Sequence, residues 1–152
     1  MGTDIHVYIE QRINKDQTEW ISVDEWLYTP YLGGVGVQKH LWEDRNYLLF
    51  AILADVRNRY NIHPISLPKG LPDNASPEVK NQSDIENEDA HTRSWLTLKE
   101  LLEYDWMQKM EDDNNEMFSL EALVIPFVNE FIPRLSEIGE PENVRMVFWF
   151  DN

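Results

Sequence analysis

Asp4-Ile5-His6-Val7-Tyr8-Ile9-Glu10 alternates without a break, with Ile5, Val7 and Ile9 on one side and Asp4, His6, Tyr8 and Glu10 on the other. A period of two marks a half-buried strand. Asn14-Lys15-Asp16-Gln17 is a polar turn, and Glu19-Trp20-Ile21-Ser22-Val23 resumes the pattern, so the chain opens on an antiparallel hairpin. At the other end, Asn143-Val144-Arg145-Met146-Val147-Phe148-Trp149-Phe150 is bulky and apolar with no charge beyond Arg145, which predicts a central strand.

Between these strands the pattern turns helical. Residues 24–42 lose periodicity and carry Pro30, Gly33, Gly34 and Gly36 among Trp26, Tyr28, Tyr31 and Trp42, which predicts a long aromatic-rich loop. Asp44 is placed to cap a helix over residues 44–60, apolar almost all round from Tyr47 to Ala54 and therefore sandwiched. Asp55 and Arg59 fall one turn apart, and Arg57 and Arg59 sit in its last turn, where cations complement the dipole. A proline-punctuated stretch over residues 63–72 must be extended or turning, and Ser76-Pro77-Glu78 opens a short helix. Thr97 and Glu100 form a capping box for a helix reaching residue 109, with Leu98, Leu101, Leu102 and Trp106 on one face. Ser119 caps a longer helical pattern to Ile138 that Pro126 and Pro133 kink or break and that Gly139 and Pro141 end. The expected fold class is α+β: a small antiparallel sheet, N-terminal hairpin plus C-terminal strand, covered by three to four helices in a single globular domain over residues 1–152.

Charge limits the function classes. The 152 residues hold 28 acids against 13 lysines and arginines, a formal charge of −15, with 42% hydrophobic residues and no cysteine. So acidic a chain repels a long polyanion and an anionic membrane surface, and it has no thiolate, disulfide or cysteine metal site. Residues 1–76 hold 10 acids and 7 bases, and residues 77–152 hold 18 and 6, so the second half carries the field. Its acids gather in Asp84-Ile85-Glu86-Asn87-Glu88-Asp89 and Glu111-Asp112-Asp113-Asn114-Asn115-Glu116, which read as solvated loops, as a nucleic-acid-mimicking surface, or as metal-binding loops. The second fails the EF-hand test at its sixth and twelfth positions. No apolar run is long enough to span a membrane and the first residues lack a signal-peptide pattern, so the expected location is cytoplasmic.

Motifs for common chemistries are missing: there is no HExxH, G-x-S-x-G, Walker A or complete G-x-G-x-x-G. Gly33-Gly34-Val35-Gly36 has the glycines of an anion cradle without the lysine and helix start that complete one. Asp4 and His6 point the same way on one strand, and His91 is a second imidazole in Asp89-Ala90-His91-Thr92-Arg93-Ser94-Trp95. Brought together, Asp4, His6 and His91 make a catalytic constellation, and Asp4, His6, Asp89 and His91 suffice for a divalent metal cofactor. The alternative is a polar sheet face. Cations in an acidic chain form the other candidate set: Arg45 and Asn46 with Tyr47 at one end of a helix, Arg57 and Asn58 at the other, Lys69 in the proline-rich loop, and Arg93 beside Trp95. Guanidinium forks grip phosphate and aromatic faces stack on bases, so these residues, with walls from Tyr31, Trp42 or Tyr47, suit a small nucleotide-like ligand; simple ion pairing is the alternative.

Several segments together, Met1-Gly2-Thr3-Asp4-Ile5-His6, Arg45-Asn46-Tyr47 running on to Arg57-Asn58, Pro64-Ile65-Ser66, Lys69-Gly70-Leu71-Pro72, Ser76-Pro77-Glu78-Val79, Ser94-Trp95-Leu96-Thr97-Leu98 and Tyr104-Asp105-Trp106, resemble a family of small proteins encoded by phages and bacterial prophages. The family often carries Cys at Thr3 and Gly-His-Ser-His-Ser where this chain reads Ala90-His91-Thr92-Arg93-Ser94, so a second histidine is replaced by Arg93. The resemblance implies a genetic context and no activity. It makes the leading expectation a phage accessory protein, acting against host defence in the host cytosol, that sequesters a small nucleotide-like signalling ligand. The alternatives are a hydrolase or phosphodiesterase built on Asp4, His6 and His91, and an acidic mimic that occupies a host defence protein.

Overall fold

The computed structural model describes residues 2–29, 34–37 and 39–152. Tyr31, Pro30 and Gly33 of the expected aromatic-rich loop lie outside the described residues, as does Met1. The strands and helices in chain order are β1 (Asp4–Gln11), β2 (Ile21–Ser22), β3 (Trp26–Thr29), β4 (Gly34–Val37), α1 (Tyr47–Ala54), α2 (Pro77–Ile85), β5 (Ala90–Thr97), α3 (Leu98–Glu103), β6 (Lys109–Glu111), β7 (Met117–Ser119), α4 (Leu120–Leu123), α5 (Ile132–Ile138) and β8 (Val144–Asp151).

The main sheet is antiparallel in the order β2-β1-β8-β5, so the chain is an α+β fold with the C-terminal strand inside the sheet. Register sets Asp4 opposite Asp151, His6 opposite Trp149, Tyr8 opposite Val147 and Glu10 opposite Arg145. Because side chains alternate, Ile5, Val7, Ile9, Val144, Met146, Phe148 and Phe150 share one face. That face is covered by Leu49, Phe50, Ile52 and Leu53 of α1 and by Phe127, Phe131 and Leu135. The opposite face carries Tyr8, Val147 and Trp149, packed under Ala75 and Val79, with Trp26 and Val37 against them. Residues of β8 from Val144 to Phe150 are buried on both sides.

A charge sits in this second layer. Arg145, 2% exposed, pairs with the fully buried Glu10 at 2.7 Å, and its guanidinium also reaches Asn74 Oδ1 at 3.1 Å. The other Glu10 oxygen accepts the Ser76 N–H at 2.6 Å, and the guanidinium lies 4.1 Å from the Trp20 ring centroid. Burial pulls the Arg145 guanidinium below its ordinary range and the facing carboxylate pulls it back.

Several elements depart from the sequence pattern. The first helix spans only Tyr47–Ala54, capped by Asn46 rather than Asp44, because Asp55 takes a left-handed φ of 60° and stops it. Arg57 and Arg59 therefore lie beyond the helix. Residues 24–42 contain the hairpin β3–β4, not a structureless loop. β5 is a further strand that the loop-like composition around His91 conceals: Thr92 is left-handed at φ 56° and the register shifts between His91 and Ser94, which destroys the alternation. The capping box at Thr97 and Glu100 forms, but its helix ends at Glu103, leaving Leu102 half exposed, and Trp106 reaches the core from the following turn. The pattern from Ser119 to Ile138 breaks at Val124, then runs through a π-helical turn, Phe127–Phe131, into α5. Pro133 has no N–H to give and crowds the carbonyl four residues back, which the wider π turn accommodates. Among the described residues, no helix is long and apolar enough to cross a membrane.

Removing one partner of the buried pair strands the other charge. Glu10→Ala is expected to lower the unfolding free energy by about 3–5 kcal/mol, and the double replacement Glu10→Leu with Arg145→Met by much less; equilibrium urea unfolding of the two variants measures the difference.

Candidate functional site

The left-handed stop at Asp55 begins a turn that carries functional side chains. Arg57 and Asn61 are also left-handed, each at φ 55°, a backbone region that costs energy for residues with a Cβ. Asn58 holds the turn closed: its Nδ2 donates to Asp55 Oδ1 at 2.6 Å and to the Ile62 carbonyl at 2.7 Å, while its Oδ1 accepts the Ile62 N–H at 2.9 Å. The turn and one side of α1 enclose a cleft of about 520 Å³ lined by Tyr47, Leu48, Ala51, Arg57, Asn58, Arg59, Tyr60 and Ile62. Among the described residues, no carboxylate belongs to that lining.

Each cation of the cleft covers a ring. The Arg57 guanidinium carbon is 5.1 Å from the Tyr47 centroid and that of Arg59 is 5.4 Å from Tyr60. Arg57 Nε donates to Thr3 Oγ1 at 3.0 Å, Thr3 Oγ1 donates to Asn152 Oδ1 at 2.7 Å, and Tyr47 Oη accepts the Thr3 N–H at 3.0 Å. Both chain ends are thus tied to the rim. Arg59 pairs with Asp113 at the tip of the β6–β7 hairpin, and Tyr60 meets Phe118 of β7 edge-on at 6.3 Å.

The other cations singled out in the sequence stand elsewhere. Arg45 binds Asp4 at 2.8 Å, which raises its pKa, and lies so close over Gly2 that an added Cβ there would collide with its guanidinium. Asn46 is the cap of α1, accepting the Leu49 N–H, with its amide on the Leu123 carbonyl. Lys69 pairs with Glu100 at 2.8 Å and lies 3.9 Å from the Trp95 centroid. Arg93 donates to Ser83 Oγ at 2.6 Å beneath α2. Tyr47 and Arg57 share the cleft; Lys69, Arg93 and Trp95 are grouped on α2's side of the sheet, and Arg45 is turned to Asp4. Arg59 and Tyr60 complete the cleft, a role hidden in the sequence by the helical reading that paired Arg59 with Asp55.

The histidines separate as well. His6 Nε2 meets Asp151 Oδ2 at 2.6 Å, and Nδ1 lies 3.6 Å from Glu86, which also accepts the Tyr8 hydroxyl at 3.3 Å. Both ring nitrogens therefore face carboxylates, and Asp4 is engaged with Arg45 rather than orienting His6. His91 is on the opposite face of the sheet, stacked 6.1 Å from Phe150 and 3.3 Å from Asn152 Oδ1, because the bulge at Thr92 resets the side-chain alternation. Asp4, His6 and His91 do not converge, and Asp89 is exposed in the turn before β5. Among the described residues, no three such side chains are gathered to hold a metal ion, so the ligand set Asp4, His6, Asp89 and His91 is not formed.

A cleft of about 560 Å³ on another part of the surface is lined by Lys15 and Lys99 against Glu103, Glu140 and Glu142, and by no aromatic ring among the described residues. Its excess of carboxylates disfavours phosphate. Comparison with protein-family models, curated proteins and solved structures found no match.

Beside His6, burial raises the Tyr8 hydroxyl pKa, with Glu86 adding to the effect, so it stays a proton donor. Burial also lifts Asp24 from 3.8 to about 6, against the Ile9 N–H that it accepts at 2.8 Å. A carboxyl with a raised folded pKa contributes stability below its unfolded value and loses it as pH rises through about 6. Asp24→Asn keeps an acceptor without the charge, so its stability relative to the parent should improve between about pH 4 and pH 7; thermal unfolding of both proteins across that range checks the sign.

Proposed function

We propose that the protein binds and sequesters a small nucleotide-like ligand in the cleft beside α1. The observation that carries this reading is the meeting of two guanidinium groups and two tyrosine rings in one cleft of about 520 Å³, where the carboxylate of Asp113 reaches Arg59 from outside the lining. The size suits a small-molecule site. Arginine forks grip phosphate oxygens and the rings offer stacking area, while Asn58 keeps the backbone that carries both cations rigid. The chain's −15 charge repels long nucleic acids yet leaves this short basic surface usable.

The resemblance to phage and prophage proteins supports a counter-defence role, in which the ligand is a signalling nucleotide of the host and its capture needs no turnover. A binder of this kind needs neither a metal nor a free histidine base, in keeping with His6 being held between Asp151 and Glu86.

Isothermal titration with adenine and guanine mono-, di- and triphosphates, cyclic dinucleotides and ADP-ribose tests the reading. At least one should bind with unit stoichiometry, and Arg57→Gln and Tyr60→Ala should each weaken it about tenfold or more with an unchanged circular dichroism spectrum. Heat from none of the panel would sink the proposal.

A further inference from the structure

The capping box at Thr97 starts a helix too short to bury every leucine of its apolar face. α3 ends at Glu103, and Leu102 is left 50% exposed beside a groove between α3 and α5. The groove, of about 350 Å³, is walled by Leu101, Leu102 and Trp106 on one side and by Val128, Ile132 and Pro133 on the other, with Ser136 beside them. Val128, Ile132 and Ser136 stand four residues apart, so the π-helical turn and α5 present one continuous edge. The side-chain donors of the lining are already used: Trp106 Nε1 donates to the Leu101 carbonyl at 2.7 Å and Ser136 Oγ to the Ile132 carbonyl at 3.2 Å. The groove therefore favours apolar side chains over a small polar ligand.

Charge lies at one end. Leu102 also lines the neighbouring cleft, whose charged residues are Glu103, Glu140 and Glu142 against Lys15 and Lys99. Lys99 is shared between Glu103 at 3.9 Å and Glu142 at 3.8 Å. Three carboxylates thus face two lysines at the end of an uncharged groove, in a chain whose formal charge is −15. A second copy of so acidic a chain would bring like charge to like, which disfavours self-association through this face.

We propose that the groove docks an amphipathic helix of a basic partner protein, which lays its apolar face against Leu102, Trp106 and Pro133 and sets a lysine or arginine of its polar face beside Glu103 and Glu140. Helices fill grooves in this way through apolar side chains spaced three and four residues apart. Burial of Leu102 supplies affinity, and the carboxylates select the sign of the partner. The groove shares no lining residue with the cleft beside α1, so the docking surface stands independently of the nucleotide-binding reading.

Isothermal titration of the full chain with a helical peptide of leucine and lysine, the leucines spaced three and four apart, tests this. Two controls accompany it: the same composition permuted to destroy the apolar face, and the counterpart with glutamate in place of lysine. The helical lysine peptide should bind the parent with unit stoichiometry, and the permuted peptide about tenfold more weakly or worse. Leu102→Asp should weaken the helical peptide about tenfold, although the new carboxylate adds attraction for lysine. Glu103→Gln combined with Glu140→Gln should weaken it about two- to five-fold. Circular dichroism of both variants should match the parent, since the three side chains are exposed. Equal binding of the permuted peptide, or no loss with Leu102→Asp, shows attraction by net charge alone and overturns the proposal. Equal binding of the glutamate peptide, or binding of none of the three, overturns it as well. So does a dimer of the parent in sedimentation velocity that Leu102→Asp abolishes, which assigns the face to a second copy.

Discussion

Burial of β8 on both faces is the constraint on which the other elements depend. A strand that reads Val-Arg-Met-Val-Phe-Trp-Phe must find apolar partners above and below, and one of its buried side chains is a guanidinium. Glu10, Asn74 and the backbone geometry at Ser76 supply the partners that make this possible. The same contacts fix β1 against β8 in one register and draw the start of α2 onto the sheet. A slip by a single residue would turn His6, Tyr8 and Glu10 into the aliphatic core and separate Glu10 from Arg145.

With the register fixed, both ends of the chain are carried to one edge of the structure. Thr3 and Asn152 meet there, and their hydrogen bonds reach Arg57 at the cleft rim. The geometry of the cleft is consequently linked to the sheet as well as to α1. The distribution of acid also has a local meaning: Glu100 meets Lys69, Glu86 and Asp151 enclose His6, and Asp113 meets Arg59. Part of the surplus charge answers the few cations present, and the rest faces solvent.

The sheet was legible in β1, where the alternation is undisturbed, and in β8, whose bulky apolar run marks a central strand, and the caps at Ser76, Thr97 and Ser119 were legible because a side-chain oxygen next to a helical pattern has one common use. Legibility failed where the backbone leaves the right-handed region. A left-handed Asp55 ended α1 and put Arg57 and Arg59 on a turn; a left-handed Thr92 hid β5 and sent His91 to the far face. Neither position is a glycine, so neither announced itself. Of the candidate ligand-binding residues, Tyr47 and Arg57 line the cleft, while Arg45, Lys69 and Arg93 have partners fixed by long-range contacts that composition does not encode. Asp113 belongs with Arg59 only through the fold.

Ligand binding in the cleft beside α1 is tested most directly by chemical-shift mapping of the ¹⁵N-labelled protein with ADP. The largest shifts are expected on residues 47–62 and on the hairpin tip over residues 112–118. Shifts centred on His6 and Asp151, or on the cleft bounded by Lys99 and Glu142, would contradict a site beside α1.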